Sequence, residues 1–256
     1  MSSGKEIQLL IRSDDLGYSE AVNYGIAKVL EYGMTKSIGL MPNMPSAVHG
    51  IKLIQNYHTC IGQHTNICVG KPVTDPALIP SLVNQNGDFK SSSVYRGSSE
   101  DFVNLDEVIM EIKAQLNVFR KLTGQDPEYF EGHAVRSQNF IRGLQIVAEE
   151  YNLKYSSMYI PGLNGVVNSS PVHRCRLDSM NTNYDPFQTL KNEIADASTD
   201  MPNIFVCHPG YLDAYLLCYS SLTINRTKEV ELLCDPNVFF WLQKQNVTLI
   251  SYRDIS

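Results

Sequence analysis

The sequence predicts an α/β protein folded as a single-domain (β/α) barrel, distorted and with seven or eight parallel strands. Short apolar runs typical of buried strands alternate with amphipathic helical patterns along the whole chain. No internal repeat, polar linker or change of composition divides the 256 residues, so residues 1–256 are treated as one domain. In such a barrel the chemically active groups stand at the carboxyl ends of the strands.

The first elements each have a local signal. Residues 5–13 contain the continuous apolar run Leu9-Leu10-Ile11, which predicts a buried parallel strand. Ser19 is suited to cap a helix that runs to about residue 32 and ends at Gly33. Two short strands are predicted at residues 36–41 and 59–64, with a helix at residues 45–57 between them.

The middle of the chain begins with an irregular connection at residues 69–104, rich in Pro, Gly and Ser, which predicts a functional loop or lid that forms part of the substrate wall. Asn104-Leu105-Asp106-Glu107 resembles a capping box that begins a strong amphipathic helix, and Gly124 ends that helix. The remaining strands are predicted at residues 129–133, 154–158, 172–177, 203–208 and 247–252. The remaining helices are predicted at residues 137–151, 184–198, 225–233 and 237–245, with a loop at residues 210–224.

Composition narrows the class of protein. Apolar residues make up 43% of the chain, enough for a full core, and the net charge is −6, which argues against a nucleic-acid partner. No stretch of about 18 apolar residues is present, and the first residues lack the apolar region of a signal peptide. We therefore expect a cytoplasmic protein with no membrane partner, whose six scattered cysteines are reduced.

Titratable side chains stand at the ends of four predicted strands. Asp14 and Asp15 end the first strand, and His64, His133 and His208 end three others. In a barrel these ends meet at one mouth, and a carboxylate with imidazoles suits a divalent metal that keeps positions open for water and substrate. The alternatives are an exposed Asx turn for the aspartates and a hydrogen-bonded core or turn role for each histidine.

The sequence contains no motif that indicates nucleophilic-serine catalysis or nucleotide binding. The chain has no Gly-x-Ser-x-Gly sequence and no glycine-rich phosphate loop of the Walker or Rossmann type. Glu131 lies two residues before His133, on the same strand face, where it could orient a ligand or be solvated. Tyr18 and Tyr211 lie in or beside loops, where they could stack on sugar rings or pack the loops.

Five motifs occur in order along the chain: Ser13-Asp14-Asp15-Leu16-Gly17-Tyr18, Gly62-Gln63-His64-Thr65-Asn66, Gly132-His133, His208-Pro209-Gly210-Tyr211 and Arg226-Thr227-Lys228-Glu229-Val230-Glu231. In combination they resemble the YdjC-like carbohydrate deacetylases, which include chitooligosaccharide deacetylases. The resemblance covers nearly the whole length.

The resemblance implies a distorted barrel that hydrolyses N-acetyl groups of sugars with one divalent metal, often assigned as magnesium, and it suggests a homodimer. It implies Asp15, His64 and His133 as metal ligands, Asp14 as catalytic base and His208 as a site residue suited to act as general acid. Nearby carboxylates are expected to raise the pKa of His208 modestly. On ligand softness alone, zinc, manganese or iron suits this donor set better than magnesium. Candidate substrate-binding residues are Tyr18, Glu131, Tyr211 and Arg226.

The chain departs from the family pattern at two places. The family usually has Asp-Ser-His-x-His where this chain has Glu131-Gly132-His133-Ala134-Val135, and Arg12-Ser13 replaces a more apolar lead-in to the aspartates. The three metal positions are unchanged. Two other hypotheses remain: a metal-dependent hydrolase of another amide, an ester or a phosphoester, and a barrel that binds sugar or metal without turnover. The pair Asp14 and His208 distinguishes an enzyme from a binding protein, because a protein that only binds does not need a base and an acid beside a metal.

Overall fold

The structure is a computed structural model that describes residues 5–158, 160 and 162–256. In this part of the chain, eight strands form one curled sheet in the order β4-β3-β2-β1-β7-β6-β5, with β8 paired to β1. The strands are β1 (Ile7–Leu16), β2 (Ser37–Leu40), β3 (Cys60–Thr65), β4 (Phe130–Gly132), β5 (Gly165–Val167), β6 (Ser170–Arg174), β7 (Asn203–Cys207) and β8 (Val247–Ile250). The predicted single-domain α/β barrel class is confirmed.

Strand β1 is the centre of the sheet. It pairs with β7 along one edge, while its other edge pairs first with β8 and then with β2. Its apolar residues Leu9, Leu10 and Ile11 are at most 1% exposed. Burial of these side chains stabilises the fold by roughly 1.5–3 kcal/mol each. Asp14 and Asp15 therefore stand near the end of a buried strand that is paired along both edges.

The two ends of the sheet are joined by the chain around residue 155. The N–H of Phe130 donates to Lys154 O, and the N–H of Asn168 donates to Tyr155 O, at 2.9 and 2.7 Å. The predicted strand at residues 154–158 is wrong, because this segment makes only isolated bridges at Tyr155 and Ser156. These bridges nevertheless complete the ring of a distorted barrel.

The sheet is not wholly parallel. Strands β5 and β6 pair antiparallel, in a hairpin whose turn contains Asn168 at φ 52°. Asparagine tolerates this left-handed conformation, which a two-residue hairpin turn requires. The sequence analysis assigned no element to residues 165–167, so this hairpin is a correction to the parallel prediction.

Nine helices pack around the described part of the sheet: α1 (Glu20–Tyr32), α2 (Ala47–Ile54), α3 (Ser92–Gly97), α4 (Leu105–Thr123), α5 (Gln138–Glu150), α6 (Pro186–Ala195), α7 (Ala214–Tyr219), α8 (Ile224–Cys234) and α9 (Pro236–Lys244). The predicted caps Ser19, Gly33, Asn104 and Gly124 are confirmed. Helix α7 was predicted as loop; Asp213 begins it by accepting from the N–H of Leu216. Within the described residues, no helix is long and apolar enough to cross a bilayer.

The connection at residues 69–104 packs firmly against helix α4. Ile79, Leu82 and Phe89 are buried in one core cluster with residues of α4 and α5. From α4, Glu107 accepts the backbone N–H of Ser81, and Glu111 accepts two further N–H groups of the connection. The predicted capping box is not completed, because the backbone N–H of Asn104 donates to Ser81 Oγ at 3.0 Å and not to Glu107.

Candidate metal and catalytic site

A bulge at the end of β1 brings both aspartates to the site. Neighbouring residues of a regular strand point to opposite faces. Here β1 advances three residues, from Ser13 to Leu16, while β2 advances two. Asp15 has φ 75°, a left-handed conformation that costs a non-glycine residue about 1–3 kcal/mol. The bulge redirects the chain so that Asp14 and Asp15 both face the barrel mouth.

Glycine at position 39 leaves room for the site. A Cβ atom on Gly39 would lie 2.6 Å from Asp14 Oδ1 and 3.1 Å from His64 Cβ. Strand β2 lies between β1 and β3. Because its residue 39 is glycine, it has no side chain at the point where those of Asp14 and His64 extend over it.

Asp15, His64 and His133 bring three potential ligand atoms together. His64 Nε2 lies 2.8 Å from His133 Nδ1, and Asp15 Oδ1 lies 3.3 and 3.2 Å from these two nitrogens. Two ligands bound at right angles, each about 2.1 Å from a metal, stand about 3.0 Å apart. Asp15 Oδ1 is buried and has no hydrogen-bond partner among the described residues. The three atoms therefore fit one face of a divalent ion's coordination shell.

The charge states of the three groups depend on one another. Burial alone would raise the pKa of Asp15, but Arg226 and His133 outweigh it and hold that pKa well below its usual range. Burial would lower the pKa of His133, but Asp15 raises it to about 9. The pKa of His64 is likewise raised despite its burial, by Glu131 and Asp14. Without metal, a protonated imidazole therefore stands beside the carboxylates, and because His64 Nε2 and His133 Nδ1 lie 2.8 Å apart, only one of these two nitrogens carries a proton.

Arg226 holds the second oxygen of Asp15. Its Nη2 donates to Asp15 Oδ2 at 2.7 Å, its Nε to Leu222 O at 2.9 Å, and its Nη1 to His208 O at 3.3 Å. The side chain is 2% exposed and its guanidinium lies over the ring of Tyr18. Arg226, a candidate for substrate binding, is thus engaged with Asp15 and with the backbone carbonyl of His208.

Glu131 is buried between His64 and Arg12. Its Oε1 is hydrogen-bonded to His64 Nδ1, and its Oε2 lies 3.3 Å from Arg12 Nη2. Burial would raise its pKa, but Arg12 and His64 lower it below the usual value. Of the two alternatives that the sequence left open, orientation of a ligand histidine matches this placement, and a solvated carboxylate does not.

Asp14 presents one free oxygen to the site. Its Oδ2 accepts from Arg12 Nε and Nη2 at 3.1 and 2.6 Å. Its Oδ1 is buried without a hydrogen-bond partner in the described structure. Asp14 therefore has one oxygen fixed by a guanidinium and one available to accept a proton.

His208 lies at the end of β7 with its Nδ1 buried and unpartnered among the described residues. The expected upward pKa shift is wrong: burial lowers the pKa of His208 to about 4, and the attraction of Asp15 and Asp14 does not offset it. The two carboxylates do raise the pKa of His208, but the loss of hydration of a buried imidazolium lowers that pKa by more.

Glu229 is a site residue that the sequence analysis did not single out. It is fully buried, accepts from the backbone N–H of His208 at 2.5 Å and accepts from the hydroxyl of Tyr184 at 2.8 Å. Burial raises its pKa to about 7. The sequence feature that could have identified Glu229 is its position three residues after Arg226, because this spacing places both side chains on one face of α8.

Two cavities meet at His133 and His208. One, of about 200 Å³, is lined by Asp14, His64, Glu131 and Arg174. The other, of about 250 Å³, is lined by Asp15, Tyr18, Tyr219, Arg226 and, from the 69–104 connection, Val69, Ser92 and Arg96. Tyr211 lines neither cavity, and the residue is 41% exposed.

A family model described as "YdjC-like protein" matches residues 8–244. The chain belongs to the YdjC-like family. It is similar to a carbohydrate deacetylase of Geobacillus stearothermophilus, with 29% identity over 96% of each chain. It is 30% identical to carbohydrate deacetylase 2 of Listeria innocua serovar 6a, over 97% of this chain and 99% of the other.

Solved structures share the fold of this YdjC-like chain. A putative cellobiose-phosphate cleavage protein from Enterococcus faecalis V583 superposes with a TM-score of 0.81 at 22% identity, over 98% of this chain and 99% of that one. A family 4 acetyl xylan esterase from Clostridium thermocellum, in complex with a cobalt ion, superposes with a TM-score of 0.52 at 11% identity, over 96% and 89%. At these identities the likeness describes the fold.

Proposed function

We propose that this chain is a divalent-metal-dependent hydrolase that removes acetyl groups from N-acetylated sugars or oligosaccharides. The observation that carries the proposal is the convergence of Asp15, His64 and His133 beside Asp14 and His208, two side chains whose chemistry suits proton transfer. The relatives named carbohydrate deacetylases, which match nearly the whole chain, support the same reaction.

The metal would be held by Asp15 Oδ1, His64 Nε2 and His133 Nδ1. One carboxylate and two imidazoles favour zinc, manganese, iron or cobalt over magnesium, since magnesium prefers oxygen ligands. The cobalt ion named for the acetyl xylan esterase is consistent with this preference. Magnesium, a homodimer and a cytoplasmic location stay predictions from the sequence.

A bound divalent ion would supply a Lewis acid for the acetyl carbonyl and would lower the pKa of a neighbouring water. Asp14 Oδ1 is the acceptor for the proton of the attacking water, because Oδ2 is held by Arg12. His208 enters the reaction neutral, since its pKa is about 4. It can therefore donate to the departing sugar amine only a proton gained during the reaction, and the water proton taken by Asp14 is the available source.

The sugar would occupy the two joined cavities. Tyr18 and Tyr219 provide aromatic side chains in the larger one, and the packed 69–104 connection forms part of its wall through Val69, Ser92 and Arg96. Since this wall is anchored on α4, substrate selection there would come from a preformed surface rather than from a closing lid.

The test compares the hydrolysis of three kinds of bond, namely amide, ester and phosphoester bonds, in sugars. The purified chain, with each of several metals added back, is incubated with N-acetylated sugars, O-acetylated sugars and sugar phosphates of matched length. We expect acetate from the N-acetylated sugars at the highest kcat/KM. Faster release of acetate from esters, or of phosphate, would assign the site to another metal hydrolase. No turnover with any metal, despite sugar binding, would favour the non-catalytic barrel.

A further inference from the structure

The peptide of His208 lies just beyond the sheet. The register between β1 and β7 ends at the pair Ser13 and Cys207, so His208 is the first residue after this ladder. No hydrogen bond at Nδ1 holds its ring, because that atom is buried without a partner among the described residues. A side chain that transfers a proton must be held in a defined orientation. The position of the His208 imidazole therefore depends on how its peptide is held.

Helix α8 binds both sides of this peptide. Glu229 Oε2 accepts from the His208 N–H at 2.5 Å, and Arg226 Nη1 donates to the His208 carbonyl at 3.3 Å. Residues three apart lie on the same face of a helix, so one turn of α8 supplies both partners. The same guanidinium donates to Asp15 Oδ2 at 2.7 Å. One face of α8 thus fixes the His208 peptide relative to Asp15.

Glu229 is an unfavourable group to bury. The residue is 0% exposed, and its Oε1 accepts from the neutral hydroxyl of Tyr184 at 2.8 Å. The nearby guanidinium of Arg226 forms its ion pair with Asp15 instead. Burial of a carboxyl group without an ion pair is unfavourable, and titratable groups that burial perturbs concentrate at functional sites. The location of such a group beside His208 therefore indicates a role in the site.

We propose that Glu229 is a positioning residue, which acts on the reaction through the backbone N–H of His208 and keeps the imidazole directed into the two cavities that it lines. Loss of this acceptor would release the His208 peptide. The proposed metal ligands would stay in place, since the hydrogen bonds of Glu229 go to His208 and Tyr184. The inference rests on the proposed function, because it takes His208 as the proton donor, and it goes beyond that function in assigning Glu229.

The test is a double-mutant cycle on acetate release from an N-acetylated oligosaccharide. E229M removes the acceptor at similar side-chain length, and E229M/H208Q removes it in a chain without the imidazole. We expect E229M to lower kcat by roughly 10²-fold, with KM and metal content unchanged. In the H208Q background the same substitution should change kcat by less than about twofold, because Glu229 acts only through His208.

Two variants separate positioning from structural support. E229Q retains an oxygen for the His208 N–H and should restore most of the kcat that E229M loses. Y184F removes the other donor to the same carboxyl group but leaves the His208 N–H bonded to it. Its kcat should therefore stay near that of the wild type, although it too loses a buried hydrogen bond.

A second measurement does not require turnover. In chains with ¹³C-labelled histidine, the ring signal of His208 is identified by its absence from the spectrum of H208Q. This signal should shift in E229M and keep its position in Y184F. E229D, which withdraws the carboxyl group by one methylene, is scored by the same cycle and the same signal if E229M does not fold.

An equal loss of kcat from E229M with and without His208, or an unshifted His208 signal in folded E229M, would overturn the inference while leaving the proposed function standing. A kcat that H208Q does not lower would remove His208 from the mechanism, and the inference with it. No turnover by the wild type with any metal would contradict the proposed function itself, and with it the role of Glu229 in the reaction.

Discussion

The two ligand histidines make metal uptake depend on pH. In the metal-free protein the pKa of His133 is raised to about 9, mainly by Asp15 working against burial, and that of His64 is also raised. A metal binds His64 Nε2 and His133 Nδ1 only when neither nitrogen carries a proton, so uptake near neutral pH must displace the proton that these two nitrogens share. Affinity should therefore rise as the pH increases toward about 9. Calorimetry in buffers of different ionisation enthalpy should detect proton release, and none at pH 7 would contradict these charge states.

His208 is a second residue whose pH behaviour is testable. Because its pKa is lowered to about 4 by burial, it is neutral in the free enzyme over the working range, and the kcat/KM profile should show no alkaline limb from this group. We expect H208Q to lower kcat by roughly 10²–10⁴ with the metal content unchanged. A wild-type alkaline limb that disappears in H208Q would show instead that the free enzyme carries a protonated His208.

Some single residues could be placed from the sequence and others could not. Asp15, His64 and His133 stand at the ends of predicted strands, and the carboxyl ends of parallel strands meet, so their convergence was predictable. The contact of Arg12 with Glu131 depends on the curl of the whole sheet, which no local pattern contains. The downward shift at His208 was missed because burial of a strand-end imidazole cannot be read from its neighbours in sequence.

Among the elements, helix α4 fixes the substrate wall. Glu111 on α4 accepts the N–H groups of Val73 and Thr74 at 3.0 and 2.9 Å, one on each carboxylate oxygen. In E111Q one of these oxygens becomes an NH₂ group, which leaves a part-buried N–H without its acceptor at a cost of about 1–3 kcal/mol.

We expect faster hydrogen exchange at Val73 and Thr74 in E111Q, and a higher KM with unchanged metal content. E107Q, which loosens the same connection at Ser81, is the matched control and should alter exchange there instead. Unchanged exchange at Val73 and Thr74 would show that Glu111 does not hold the wall.

The elements also differ in how far sequence predicts them. Helices α1 and α4 have strong periodic faces with capping residues, and both begin and end where Ser19, Gly33, Asn104 and Gly124 predicted. The β5–β6 hairpin and the bridges at residues 155–156 are short and held by pairing with distant strands, so local propensity does not identify them.

For the whole molecule, Glu229 couples stability to pH. Burial raises its pKa from 4.5 to about 7, so the folded chain holds its proton more tightly than the unfolded chain does. Its stabilising contribution is present below the unfolded value and is lost as the pH rises toward 7. A shift of this size corresponds to about 3 kcal/mol.

We expect the free energy of unfolding of metal-free wild type to fall relative to E229Q by about this amount between pH 4 and pH 8. Urea unfolding of both proteins across this range measures the difference. A difference that stays constant with pH would show that the pKa of Glu229 is the same in the folded and unfolded chain.

Metal-dependent deacetylation at a single triad is most directly tested by titrating stripped protein with metal while acetate release from an N-acetylated oligosaccharide is followed. The rate should be negligible without metal, should rise linearly and should level off at one ion per chain. H64A and H133A, each lacking one of the three ligands, should retain no metal and release no acetate over the same range. Full activity of the stripped chain, or undiminished metal content and turnover in both variants, would contradict the account.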